Sequence, residues 1–161
     1  MLKAGERAPE FTLTDHTGAE LTLSNLLHIG PLVVFFYPGD FTPVCTKQVC
    51  MIRDLTAELA EVGLQVVGIS PDDADSHERF RSKHNLDFPL LSDPEKHVIK
   101  MFGVDGPLGL GVRRTTFLVD QNRKIQNTIC ADIRVAKHEE FLRRAIILRE
   151  AALGKRVTQE A

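Results

Sequence analysis

No stretch of this 161-residue chain approaches the ~20 consecutive apolar residues that a bilayer-spanning helix needs. A membrane role is not expected. An excess of one charge sign is also lacking, since 20 Lys and Arg stand against 22 Asp and Glu, with a pI near 6.3. Without a net field to attract a polyanion, nucleic acid and anionic lipid drop out as expected partners, which leaves small molecules or proteins. The basic pairs Arg113-Arg114, Arg143-Arg144 and Lys155-Arg156 are scattered, and most of these side chains read as ordinary solvated charges. "MLKAGERAPEF" carries charges where a secretory leader has its apolar segment, so a reducing, cytoplasmic setting with free thiols is the expectation. Metal-ligand spacing is missing too: His16, His28, His77, His84, His97 and His138 occur singly, with no H-x-H or H-E-x-x-H, and no metal or other cofactor is expected. There is no G-x-S-x-G of a serine hydrolase and no C-x-x-C of a thioredoxin-type redox pair. No repeat, low-complexity tract or linker divides the chain, so residues 1–161 read as one domain, a length that buries roughly 70% of the unfolded surface.

What is present is an alternation of apolar runs and amphipathic segments. "EFTLTDHTGAELTLSNL" alternates about Thr17-Gly18 and predicts a hairpin or a pair of short strands; "PLVVFFYP" and "LQVVGIS" are continuous apolar runs that predict strands buried on both faces. Between them, Val44, Gln48, Met51, Ile52, Leu55, Leu59 and Val62 recur at helical intervals, with Thr42 as N-cap, Pro43 at the first helical position and Gly63 as a stop. "DADSHERFRSKHN" predicts a short polar helix, and "DPEKHVIKMFG" a helix capped by Asp93 with Pro94 after it. "DGPLGLGVRR" has three glycines but follows no strand and opens no helix, so it reads as a loop. "TTFLVD" and "KIQNTICAD" flank Gln121-Asn122-Arg123 as a hairpin, before a closing helix with Glu139/Arg143 and Glu140/Arg144 spaced i,i+4. The sum is a mixed sheet with helices on both faces.

Two of the three cysteines, Cys45 and Cys50, lie five residues apart at the start of the predicted helix. Cys45 falls at the third helical position, where free amides and the positive end of the macrodipole favour a thiolate. A thiol at its ordinary ~8.5 is only ~3% ionised at pH 7, so full ionisation gains roughly thirty-fold in nucleophile. The plain alternative is a small buried residue, and the same alternative holds for Cys50 and, in its strand, Cys130. On an intact helix, Cα atoms five residues apart are ~8.7 Å from each other, beyond the ~6.8 Å reach of a disulfide. If the two thiols join, the first turns must unwind.

"FYPGDFTPVCTKQVC" resembles the peroxiredoxin signature Pro-x-x-x-Thr-x-x-Cys, with Pro38, Thr42 and Cys45 in register. The cysteine five residues on, followed in order by "IRD", "VVGIS", "FPLLSD", "FGV" and "RTTFLVD", resembles the bacterioferritin comigratory protein or peroxiredoxin Q branch over nearly the whole chain. The resemblance implies an α/β thioredoxin-like fold, a central mixed sheet flanked by helices with extra N-terminal strands. By the same resemblance Cys45 is the peroxidatic cysteine that becomes a sulfenic acid, and Cys50 resolves it as an intramolecular disulfide. Thr42 donates near the sulfur, Pro38 shields it from water, and Arg114 holds the thiolate. Arg114 is preferred to Arg113 because the family's arginine stands three residues before a strand phenylalanine, here Phe117. Gln48 occupies a position where many members have Glu. Implied substrates are hydrogen peroxide and organic hydroperoxides; the implied reductant is thioredoxin or a similar dithiol, and the implied state is a monomer or weak dimer. A peroxide-sensing regulatory protein and a thiol-disulfide oxidoreductase acting on proteins are the other readings.

Overall fold

A run of apolar residues with a neighbour on each side sets the centre of the sheet. In the computed structural model, which describes the backbone of residues 1–160 and the side chains of residues 1–154, strand β3 (Leu32–Phe36) is buried throughout. It pairs in parallel with β4 (Gln65–Ser70) and antiparallel with β6 (Thr115–Val119). Beyond β4 come β5 (Leu90–Ser92), β1 (Thr12–Asp15) and β2 (Glu20–Thr22); beyond β6 comes β7 (Ile125–Cys130). The seven strands run in the order β2-β1-β5-β4-β3-β6-β7 and make a mixed sheet of thioredoxin-like type.

Because strand side chains alternate faces, β3 feeds two cores. Leu32, Val34 and Phe36 pack with Leu23, Leu26 and Leu27 of α1 (Leu23–Ile29) and with Val98 and Ile99 of α4 (His97–Met101). Val33, Phe35 and Tyr37 pack on the other face. Their neighbours there are Cys45, Val49, Ile52, Leu55 and Leu59 of α2 (Pro43–Glu61), Phe80 of α3 (Ala74–His84) and Leu142, Ala145 and Ile146 of α5 (Val135–Glu160). At Gly68 of β4 an added Cβ would sit 2.6 Å from the Phe35 ring, so only glycine leaves that ring its place. Among the described residues no helix is long and apolar enough to cross a membrane.

The predicted hairpins form. Asp15 builds the first one, accepting from the Thr17 amide and hydroxyl and from the Ala19 amide. The closing helix forms, with Arg143 3.5 Å from Glu139; the side chains of the Lys155-Arg156 pair lie outside the described residues. Three features differ from expectation. The second arm of the first hairpin turns at once into α1, capped by Thr22, whose hydroxyl accepts from the Asn25 amide at 3.1 Å. The buried triplet Leu90–Ser92 is a strand, too short to stand out by periodicity. Asp93 is not the N-cap of the next helix: a turn intervenes, Lys96 takes a left-handed φ of 58° as the cap residue, and α4 begins only at His97. The Asp93 carboxylate still serves α4 from a distance, accepting from the His97 amide at 2.9 Å and the Ile99 amide at 2.8 Å.

His138 fastens α5 to the sheet. Its Nε2 lies 2.9 Å from the Ala131 carbonyl and so carries the hydrogen, which leaves Nδ1 to accept from the Thr116 hydroxyl at 2.8 Å. Burial, foremost, holds this imidazole below its ordinary range. The unfolded chain therefore takes the proton first, and the stability from neutral His138 is complete above about pH 6.5 and lost as the pH falls through and below that value. Replacing His138→Leu strands the hydroxyl and the carbonyl, at about 2 kcal/mol near neutral pH. Denaturant unfolding at a series of pH values checks both points: the difference between wild type and variant shrinks on acidification, and one that grows contradicts the assignment.

Candidate active site

The Cys45 sulfur is placed by three elements that meet at one end of the sheet. After β3 the chain turns through Pro38, Gly39 and Asp40 and enters α2 at Pro43, so Cys45 is the third residue of the helix, as its spacing from Thr42 predicts. It has no exposed surface. From the neighbouring strand side, Arg114, just ahead of β6, points its guanidinium at the sulfur with Nη2 at 3.2 Å from Sγ. The same guanidinium donates from Nη1 to Gln48 Oε1 at 2.6 Å and from Nε to the Asp132 carbonyl at 3.0 Å. Gln48, one turn beyond Cys45, is fully buried, and its Nε2 has no hydrogen-bond partner among the described residues.

Arg113 goes elsewhere. It is half-exposed and pairs with the Asp132 carboxylate at 2.9 Å, while the Arg114 backbone amide donates to the same carboxylate at 3.1 Å. Thr42 has the extended backbone of an N-cap, but its side chain caps nothing: the hydroxyl donates to the Gly39 carbonyl at 2.9 Å, closing the loop on itself. That bond leaves the oxygen's lone pairs uncommitted to the helix amides. Pro38 is exposed at the outer side of the turn. Cys50 lies within the unbroken span of α2, half-buried, and faces α3, with His84 Nδ1 3.7 Å from its sulfur. Cys130 ends β7 opposite Thr115, near Arg113. All three cysteines are free thiols.

Sequence reasoning missed the network behind the loop. Asp40 is buried and accepts from the Tyr37 hydroxyl at 2.6 Å and the Ser76 hydroxyl at 2.8 Å, with His77 Nδ1 at 2.7 Å. His77 Nε2 faces the Leu91 carbonyl at 3.1 Å. Burial, and after it the Asp40 charge, push the Tyr37 hydroxyl well above its usual range, so it remains a donor. The Asp40 amide in turn donates to Asp72 at 2.8 Å. Asp40, Asp72 and His77 bring ligand-type atoms within 4.8 Å of one another. Their atoms are already engaged by Tyr37, Ser70 and Ser76, so a hydrogen-bonded anchor for the loop accounts for the cluster. No spacing in the sequence links Asp40 to His77, which the packing of α3 makes neighbours, whereas Arg114 and Asp132 flank the β6–β7 hairpin.

This arrangement has counterparts. The AhpC/TSA family profile matches residues 4–128. The chain is 37% identical to Peroxiredoxin Bcp of Escherichia coli K12 over 147 residues, which is 88% of this chain and 93% of the relative. The crystal structure of peroxidoxin BcpB from Mycobacterium tuberculosis superposes with a TM-score of 0.85 at 40% identity, covering 94% of this chain and 98% of that one. A structure of the Xanthomonas campestris bacterioferritin comigratory protein, solved in connection with its alkyl peroxide reduction activity, superposes with a TM-score of 0.79 at 28% identity, covering 86% and 90% of the two chains.

The geometry separates the two arginines. With Cys50 and Cys130 replaced by Ser, removing the donor at the sulfur by Arg114→Met slows iodoacetamide alkylation of Cys45 at pH 7 about tenfold, within the roughly thirty-fold span open to a thiol at that pH. Arg113→Met leaves that rate within a factor of about two, as expected of an exposed ion pair. Equal effects of the two substitutions contradict the assignment.

Proposed function

Because the chain belongs to the AhpC/TSA family, in its Bcp/peroxiredoxin Q branch of thiol peroxidases, we propose that Cys45 is its peroxidatic residue and Cys50 its resolving one. The observation that carries this reading is the Arg114 guanidinium 3.2 Å from the Cys45 sulfur at the first turn of α2. A fixed cation and the free amides of the helix start both favour an anionic sulfur, and the same guanidinium is available to charge that develops on a peroxide oxygen. In the first step the thiolate attacks the terminal oxygen of the peroxide, the O–O bond breaks, and the departing alkoxide or hydroxide takes a proton from solvent and leaves as an alcohol or water. Cys45 becomes a sulfenic acid. Thr42, fixed one turn before it, offers its oxygen to the incoming peroxide.

In the second step Cys50 attacks the Cys45 sulfur, expelling water and forming the disulfide. Since ~8.7 Å separates Cα atoms five residues apart on a helix and a disulfide spans at most ~6.8 Å, α2 opens locally for this step. A dithiol protein such as thioredoxin then exchanges with the disulfide and returns both thiols. Resolution within one chain asks for no second copy, so the working unit is a monomer. The activity described for the Xanthomonas campestris protein supports organic hydroperoxides beside hydrogen peroxide as substrates.

Peroxide consumption by the wild type, Cys45→Ser and Cys50→Ser, each supplied with thioredoxin, its reductase and NADPH, tests the cycle. Loss of all turnover in Cys45→Ser, and one oxidation without recycling in Cys50→Ser, are the results the proposal requires. Normal turnover in Cys50→Ser moves resolution to Cys130 or an outside thiol. A wild type that is oxidised once and is not recycled by several dithiol donors is a sensor instead.

A further inference from the structure

We propose that His84 is the base that takes the proton from the Cys50 thiol when Cys50 closes on the oxidised Cys45, an inference that rests on reading Cys50 as the resolving cysteine. The two groups come from different helices: Cys50 from the second turn of α2, His84 as the last residue of α3, with 3.7 Å between Sγ and Nδ1. Three other groups face the imidazole. Lys83 and Arg53 bring positive charge, and the Phe80 ring packs edge-on with its centroid 5.1 Å away. Among the described residues no carboxylate bonds to the ring. Burial, then the charges of Lys83 and Arg53, hold the imidazole below its ordinary range, so near neutral pH it is unprotonated and its Nδ1 lone pair is open to the thiol. Once it has taken the proton, the imidazolium stands at the C-terminal end of α3, where the exposed carbonyls favour a cation.

The placement also suits the motion. Arg53 Nη1 donates to the His84 carbonyl at 2.8 Å, clamping the end of α3 to α2 on the side of Cys50 away from Cys45. As the first turns of α2 open, Cys50 stays docked at His84 and the segment bearing Cys45 moves to it. Cys50 gives its proton to Nδ1, and its sulfur electron pair forms the S–S bond. The S–O bond of the sulfenic acid breaks, and the departing hydroxide recovers the proton from the imidazolium as water. Cys50 is oxidised, the Cys45 sulfur is reduced, and no further reagent is consumed.

A thiol left to its ordinary value is ~3% ionised near neutral pH, so the base contributes up to about thirty-fold. The test mixes reduced protein with one equivalent of hydrogen peroxide, quenches with dimedone at intervals, and follows the sulfenic adduct and the intramolecular disulfide by mass spectrometry across pH. Wild type, His84→Gln, and His84→Ala with and without imidazole are compared in a Cys130→Ser background. The expected result is equal formation of sulfenic acid in all, with resolution about ten- to thirty-fold slower in both variants near neutral pH. The gap closes above about pH 9, where the thiol ionises unaided, and imidazole restores part of the rate to His84→Ala. Wild-type rates in both variants, or a slowing that is uniform with pH and not rescued, overturn the role of His84 while leaving Cys50 as the resolving residue. A wild type that forms no Cys45–Cys50 disulfide overturns the resolving role and this inference with it.

Discussion

Arg114 is a permanent cation only 3% exposed, and a charge so far from water has to be matched by the groups around it. Its guanidinium donates to the Cys45 sulfur, to the Gln48 amide oxygen and to the Asp132 backbone carbonyl. Only the sulfur among these can carry a negative charge. The Asp132 carboxylate is engaged by the Arg114 backbone amide and by Arg113. A Glu at position 48 would supply a countercharge of its own, which the neutral Gln48 does not. Much of the fold serves this contact. β6 lies beside β3 at the middle of the sheet, and α2 begins where β3 ends, so the arginine and the cysteine meet across adjacent strands.

The same contact explains how the proposed cycle can pass from a closed helix to an open one. α2 is tied at both ends of its first three turns to α3. On one side Asp40 bonds to Ser76 and His77, and Phe41, held at a left-handed φ of 65°, rests on the Phe80 ring. On the other side Arg53 holds the His84 carbonyl. Between these ties, Cys45 is held by core packing and by the one hydrogen bond to its sulfur, from Arg114. When oxidation turns a thiolate into a neutral sulfenic acid, the charge-assisted part of that bond is lost, and the first turns of α2 have less to hold them. The chemical step thereby weakens the structure that kept the second cysteine away.

The parts of the molecule legible in the sequence are those written in contiguous residues. The double-faced apolar run of β3, the helical repeat from Val44 to Val62 and the Thr42-Pro43 start fix the position of Cys45 on α2, while the choice of Arg114 over Arg113 comes from the resemblance to the peroxiredoxins, through the step to Phe117. Short elements escaped because three residues cannot show a period: β5 is a triplet, and α1 follows a strand without a break. Asp93 misled because a side chain that caps from a turn away looks in sequence like one that caps directly. The supports of the site Asp40, His77 and His84 were illegible for a deeper reason. Each acts on a residue brought near by helix packing, and nothing in their local spacing announces it.

The claim on which the account turns is that α2 must open for the two cysteines to join. Amide hydrogen exchange resolved by residue, on the reduced protein and on the Cys45–Cys50 disulfide form, measures this directly. The account predicts that the amides from Thr46 to Ile52 lose their protection in the disulfide form while those from Leu55 to Glu61 keep it. Full protection through the first turns of α2 with the disulfide in place would contradict it.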